Sequence, residues 1–237
     1  QTIIDCLTKA ARDAGVKIET SNGVSFIEKL GDNESDGARF IVHTDKGQRH
    51  RARCILQATG GTRLAAGAKL AEQLGHQLEP ALPSLFTFKI DHPLIKDLPG
   101  VAVADTTVSV IKSKLNSRGP LLITHWGVSG PGILRLSAWG ARELSELDYK
   151  FTLVVNWLPD IDAATTITQL RSDWGKRQLS TRCPFEPISK RLWARMLEVV
   201  GIPETQIWSQ LSKTHTQALC KLLNVCHLPV DGKSVNK

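Results

Sequence analysis

The segment Thr124-His125-Trp126-Gly127-Val128-Ser129-Gly130-Pro131 places an imidazole and a hydroxyl on one short, glycine-flanked stretch. Two kinds of chemistry suit that arrangement. His125 can serve as an acid–base group, because an unperturbed imidazole titrates at about pH 6.5. Ser129, with the amides beside it, can bind a carboxylate or phosphate where a helix begins. Structural readings of both carry equal weight: His125 bonding a backbone carbonyl, and Ser129 capping the helix. A serine-hydrolase elbow is excluded, since the segment contains no GxSxG. A second stretch, Ala58-Thr59-Gly60-Gly61, strips side-chain bulk from the end of an apolar run. Such a turn lets a ribose or pyrophosphate approach the backbone, although Gly-Gly also makes simple tight turns.

These residues need elements to hold them. Leu121, Leu122 and Ile123 predict a short buried strand, with Gly127–Gly130 as a turn. Pro131 then opens a helix, because a first-turn proline loses no hydrogen bond. Ile133, Leu134, Leu136, Ser137 and Trp139 continue it at helical spacing. Upstream, residues 2–14 predict a helix stopped by Gly15, and Val16–Glu19, Val24–Leu30 and Arg39–Thr44 predict strands. Arg51–Ala58 alternates and then turns solidly apolar, as a strand of a buried parallel sheet does. Residues 67–74 predict a helix with Gly75 after it. From about residue 80 to 158 alternating apolar residues among prolines predict a β-rich unit. Beyond it, helices are expected from Asp160 or Asp162 to Leu170, over Ser189–Leu197, Thr205–Leu211 and Thr214–Leu223. The six tryptophans fall in different elements and read mostly as core.

Composition narrows the class. The 237 residues are 41% hydrophobic, enough for a real core, and hold no apolar run long enough to span a bilayer. Thirty Lys+Arg against 23 Asp+Glu give a net charge of +7. The basic residues are scattered, so a solvated basic surface is expected rather than a specific nucleic-acid partner. The cysteines, Cys6, Cys54, Cys183, Cys220 and Cys226, are odd in number and form no CxxC pair. That usage predicts buried thiols in a reducing compartment, not a disulfide framework. Cys220, Cys226, His215 and His227 match no common zinc spacing, and no metal is expected.

Three segments carry a family resemblance. The stretch from Thr124 to Leu134 resembles the THxGxSGPxxL signature of FAD-dependent oxidoreductases that include aminoacetone-oxidase-like and BaiN-like flavoproteins. Cys54–Gly61 is similar to the strand-plus-ATGG element of that family, and Leu74–Leu85 resembles its LGHxIxxPxPALVPL run. The resemblance implies an α/β plus α+β fold. A partial Rossmann-type FAD-binding domain (1–79) precedes an inserted β-barrel-like domain (80–158) whose helical bundle occupies 159–237. It implies FAD held through Val24, Ala58, Thr59, Gly60 and Gly61, with NAD(P)H as a possible electron source. It also implies hydride transfer between NAD(P)H or a small amine-like substrate and an acceptor. A small-molecule substrate, no membrane partner and a cytoplasmic location (plastid stroma in a plant) follow; oligomeric state stays open. Two alternatives remain, a non-catalytic flavin-fold scaffold and a tRNA-modifying flavoenzyme.

Two departures from the family pattern stand out. No GxGxxG phosphate loop occurs, and Gly130-Pro131-Gly132 is rejected as one because Arg135 stands at the third glycine. The expectation is therefore an internal fragment that binds FAD weakly or not at all. Between Gly61 and Gly67 only Thr62–Ala66 stand where many bacterial members carry a longer loop. That shortening puts the substrate and catalytic competence in question.

Overall fold

The computed structural model describes residues 2–31, 36–60 and 65–234. The chain forms two compact units, residues 1–81 and 82–237.

In the first unit, helix α1 (Thr2–Asp13) ends at Gly15, whose φ of +81° suits a residue without Cβ. Strands β1 (Val24–Lys29), β2 (Phe40–Thr44) and β3 (Arg49–Ala52) form an antiparallel meander in that order. Helix α2 (Ala65–Gln73) packs on β1. The core here is thin: Ile27, Ala38 and Leu70 are its buried apolar residues, while Ile3, Ile4 and Leu7 of α1 stay exposed. Three expectations change. Residues 16–19 are not a strand; the chain leaves α1 through a bond from Val16 N–H to Ala11 O (3.0 Å). The strand at 51–58 stops at Ala52, and Leu56 beyond it is 90% exposed. An apolar run holds strand geometry only when a neighbour supplies ladder bonds and a cover, and the described residues offer Leu56 neither. The described strands of this unit are all antiparallel, so the parallel neighbour expected beside 51–58 is not among them.

The second unit is built on one sheet. Its strands are β4 (Thr87–Lys89), β5 (Ala102–Val110), β6 (Asn116–Thr124), β7 (Gly127–Ser129), β8 (Phe151–Asn156), β9 (Cys226–Val230) and β10 (Gly232–Ser234). The order is β10-β4-β7-β6-β5-β8-β9, every neighbour antiparallel. Asp231 alone separates β9 from β10, and its N–H bonds Lys89 O (3.0 Å). One kinked strand thus pairs with β8 at one end and β4 at the other, which closes the sheet into a barrel. These last strands were expected among the helices. They have to return because β8 and β4 would otherwise leave unpaired ladder edges.

Inward residues alternate as a pleat requires: Val108 and Val110 on β5, Leu121 and Ile123 on β6, Leu153 and Val155 on β8, Leu228 and Val230 on β9, all buried. Helix α3 (Pro131–Trp139) adds Ile133 and Leu136 to this core. Its Ser137, fully buried, accepts from Phe86 N–H (3.2 Å) and lies 2.9 Å from Ser84 O, tying the entering chain to the helix. Helix α4 (Ala141–Glu146) follows directly.

The helical cluster comprises α5 (Ala163–Asp173), α6 (Lys190–Val200) and α7 (Lys213–Asn224). Asp162, Ser189 and Ser212 cap their N-termini through side-chain oxygens, so Asp162 and not Asp160 is the first cap. The helix expected at 205–211 is a single tight turn, Trp208–Gln210. Trp193 and Trp208 stack at 6.3 Å between centroids, and Trp174 meets Trp208 edge-on at 6.4 Å. The tryptophans are less uniformly core than expected: Trp157, Trp193 and Trp208 are buried, but Trp139 is 78% exposed. The cysteines divide too. Cys226 is buried and its thiol is pushed up to about 12, whereas Cys6 and Cys54 are exposed. Cys226 faces inward on β9 and His227 outward. No described helix is long and apolar enough to cross a membrane.

Gly127 tests the barrel. Its φ is +147°, and a Cβ there would lie 2.1 Å from Phe88 O on β4. Gly127→Ala is expected to cost roughly 3 kcal/mol or more by denaturant unfolding, combining strain and overlap. Gly100→Ala, also at positive φ but facing open space, is expected to cost only about 1 kcal/mol. Equal losses would show that the β4–β7 approach is not what excludes a side chain.

Candidate functional site

The Thr124–Pro131 segment folds differently from the expected turn at 127–130. Gly127–Ser129 is strand β7, and the reversal is made by His125 and Trp126. Gly127 pairs with Thr124 on β6 and with Lys89 on β4, which pulls the glycine into the sheet. Trp126 locks the reversal: its indole N–H donates to Thr87 Oγ1 (3.0 Å), and its carbonyl accepts from Ile90 N–H (3.0 Å). His125 is left exposed at the tip. Ser129 does not cap α3. The cap position is Gly130, with φ +101° and no side-chain bond. Ser129 is half-buried opposite Leu122.

His125 lines a cleft of about 520 Å³ together with Asp91, His92, Lys96, Thr124 and Arg191. Ser129 is not among the lining residues. The far wall is the loop at 91–100, clamped to α6 by two guanidinium bonds: Arg191 Nη2 to Asp97 O (3.2 Å) and Arg195 Nη1 to Pro93 O (3.0 Å). Because Arg191 spends that donor on a neutral carbonyl, its charge is not cancelled by the bond. Two fixed cations, Lys96 and Arg191, therefore share the cleft with two imidazoles and the carboxylates Asp91 and Asp97. His92 is half-buried, and burial holds its imidazole below the ordinary 6.5. Its Nδ1 accepts from Leu94 N–H (3.2 Å), which assigns the ring proton to Nε2 and makes that nitrogen a donor. The cleft can bind a polar group and pass a proton to it.

Of the residues lining this cleft, sequence reasoning singled out His125 and not His92, Lys96 or Arg191, which lie far from it along the chain and carry no motif. Thr124, the first residue of the signature-like segment, was given no role of its own. Its hydroxyl is buried and has no hydrogen-bond partner among the described residues.

The expected cofactor residues lie in the first unit. Val24 lines a recess of about 340 Å³ with Lys17, Glu19, Asn22, Val42 and His50. Asn22 gives its amide protons to Glu19 and Gln48 (both 2.7 Å), leaving its buried Oδ1 without a partner among the described residues. β1 is an edge strand, with one side of its backbone unpaired in the described sheet. Ala58, Thr59 and Gly60 form an exposed, irregular stretch in which Gly60 has φ +80°. Gln57, not foreseen, donates to Gly67 O (2.6 Å), and a Cβ at Gly67 would fall 2.1 Å from Thr59 Oγ1. This stretch therefore lies against α2. Gly61 and the short loop that follows it, to Leu64, lie outside the described residues. An unpaired strand edge and an orphaned acceptor beside a small recess fit the adenosine end of a dinucleotide. Nothing described here fits its pyrophosphate.

A closed antiparallel barrel with an appended helical cluster and a polar cleft at the β6–β7 reversal defines the class. Residues 82–236 match the family described as HI0933-like protein barrel and H2TH domain, and the chain belongs to that HI0933-like family. The chain is similar to a ribosomal RNA dihydrouridine synthase of Escherichia coli, 30% identical over 186 residues (75% of this chain, 44% of that protein). A ribosomal RNA dihydrouridine synthase of Haemophilus influenzae is 25% identical over 233 residues (94% and 54%). A 3-dehydro-bile acid delta(4,6)-reductase of Clostridium scindens is 26% identical over 231 residues (93% and 54%). The chain spans about half the length of the curated relatives it matches.

Two measurements probe the cleft. The unfolded chain protonates His92 at about pH 6.5, whereas the folded protein resists, so the unfolded state binds more protons between the two values. Stability is expected to fall as pH drops below about 6.5 and to level off once the folded imidazole titrates. His92→Gln should flatten that slope in urea titrations at several pH values; an unchanged slope would assign it to other groups. Thr124→Val keeps shape and removes an unbonded hydroxyl, so stability should stay level or rise by up to about 1 kcal/mol. A loss of that size would reveal a bond to the hydroxyl.

Proposed function

We propose that this chain is part of a flavin-dependent reductase acting on a carbon–carbon double bond conjugated to a carbonyl. The observation that carries the reading is the kinship of this chain with proteins named for two such reductions. Dihydrouridine is uridine with its ring double bond saturated, and that bond is conjugated to a ring carbonyl. A delta(4,6)-reductase of a 3-dehydro bile acid saturates bonds conjugated to the 3-keto group. Both reactions add a hydride to the carbon far from the carbonyl and a proton to the carbon beside it.

Bound FAD would supply the hydride, received in turn from NAD(P)H. Val24, Ala58, Thr59, Gly60 and Gly61 would hold its adenosine end, by backbone contact at the β1 edge and at the glycine turn. A partial Rossmann-type arrangement belongs to this proposal. In the cleft, Lys96 and Arg191 offer positive charge to the carbonyl oxygen, where negative charge develops as the hydride arrives. His125, exposed at the rim, is suited to deliver the proton. His92 offers a neutral Nε2–H that can orient the carbonyl without competing for that proton. The two ribosomal RNA relatives favour a nucleobase within RNA as the substrate over a free small molecule or an amine.

The test uses protein made from the complete coding sequence. Flavin content is read from visible absorption, the cofactor is reduced with NADPH without oxygen, and a conjugated enone or uridine-containing RNA is added. Reoxidation by the unsaturated carbonyl is expected, and His125→Gln should slow it about 100-fold or more. Reduction by a primary amine with no response to enones would overturn the reading. Bound flavin that NADPH leaves oxidised would instead support the scaffold alternative.

A further inference from the structure

Twelve residues at the end of α5 and just beyond, 171–182, carry Arg171, Lys176, Arg177 and Arg182 against one carboxylate, Asp173. All four cations are exposed, and among the described residues none is in an ion pair. They surround Trp174, half-buried, whose ring lies edge-on to the core residue Trp208. The guanidinium carbons of Arg177 and Arg182 lie 5.3 and 5.9 Å from the Trp174 centroid. Beside the ring is a recess of about 530 Å³ whose lining includes Arg171, Asp173, Lys176, Arg177 and Ser209. The frame beneath is rigid. Gly175 O accepts from Ser209 N–H (3.0 Å) and Ser209 Oγ (2.8 Å), and Arg177 bonds Trp174 O through its N–H (2.7 Å) and Trp208 N–H through its carbonyl (3.1 Å).

We propose that this face of the helical cluster docks RNA, its four cations gripping successive phosphates. The inference rests on the RNA arm of the reading above and assigns it a surface. Four cations free of ion pairs among the described residues suit a polyanion, whose phosphates release counterions when they are bound. Planar guanidiniums match phosphate oxygens in pairs. The ring of Trp174 gives the guanidiniums of Arg177 and Arg182 a shared support. The four are close in sequence, and the fold adds the ring of Trp174 beneath two of them.

The experiment measures binding of the complete protein to deproteinised ribosomal RNA of Escherichia coli by filter retention at several salt concentrations. Arg177→Ala with Arg182→Ala is expected to weaken binding at least tenfold and to make the salt slope shallower by about 1.4, two contacts at roughly 0.7 each. Arg177→Lys with Arg182→Lys should keep the slope and most of the affinity. Turnover of a small enone should be unchanged in both. Alanine variants that bind RNA with wild-type affinity and slope would overturn the surface while leaving the reductase reading intact. Duplex DNA of equal length bound as tightly and weakened equally would show a general polyanion surface and overturn the RNA assignment. Wild-type protein that turns over the enone yet retains no RNA would overturn the docking and the RNA arm together, sparing the reductase. If the alanine pair fails to fold, Lys176→Glu, exposed beside the same recess, must give the loss of RNA binding.

Discussion

The backbone of β7 runs so close to β4 that nothing larger than a hydrogen fits on Gly127, and the second unit is arranged around that approach. Because Gly127 bonds β4 on one side and β6 on the other, the chain has only His125 and Trp126 in which to reverse. The indole of Trp126 is then spent on holding the reversal, and His125 is left as its exposed tip. Immediately after β7, Gly130 reaches φ +101° under the carbonyl of Pro120, where a Cβ would meet the oxygen at 2.6 Å. That crowding aims Pro131 and α3 into the core instead of along the barrel wall. The position of the imidazole follows from the approach at Gly127, and the start of the helix from the one at Gly130.

The cleft depends on a second, softer constraint. The loop at 91–100 owes its position to two arginines of α6 that reach its carbonyls, together with its own buried Leu94, Ile95 and Leu98. Each guanidinium bond is to a neutral acceptor and partly open to solvent, so neither is worth more than a few kcal/mol. The loop is thus placed by the helical cluster, and the cluster is placed by its tryptophan stack. This chain of dependence joins the stability of the helices to the width of the cleft, and it explains why a site near the barrel mouth uses a residue of α6.

The first unit is held differently. With few buried apolar residues among those described, its sheet relies on ladder bonds and on α2, and Ile3, Ile4 and Leu7 of α1 are exposed, as is Leu56. Its features suit the adenosine half of a nucleotide through backbone edges and an unpartnered Asn22 oxygen, chemistry that needs little core.

Local signals were legible along the chain. Asp162, one of two aspartates read as able to cap, caps α5 because its side-chain oxygens reach open amides within three residues. Pro131 starts α3 because its ring already holds a helical φ. Period-two burial on β5, β6 and β8 follows from the pleat. What the amino-acid order alone left open depends on partners distant in the chain. Arg51–Ala58 looked like a buried strand, yet a strand exists only where another chain segment completes its ladder. Cys226–Ser234 fell within the bounds of the helical bundle with no element assigned, yet it pairs with β8 and β4. His125 announced itself by type and spacing, but His92, Lys96 and Arg191 join it only through folding of the loop onto α6. Intrinsic propensity and capping act over a few residues, so sequence determines them. Sheet closure and the assembly of a cleft are set by which distant surfaces fit, and only the tertiary structure decides that.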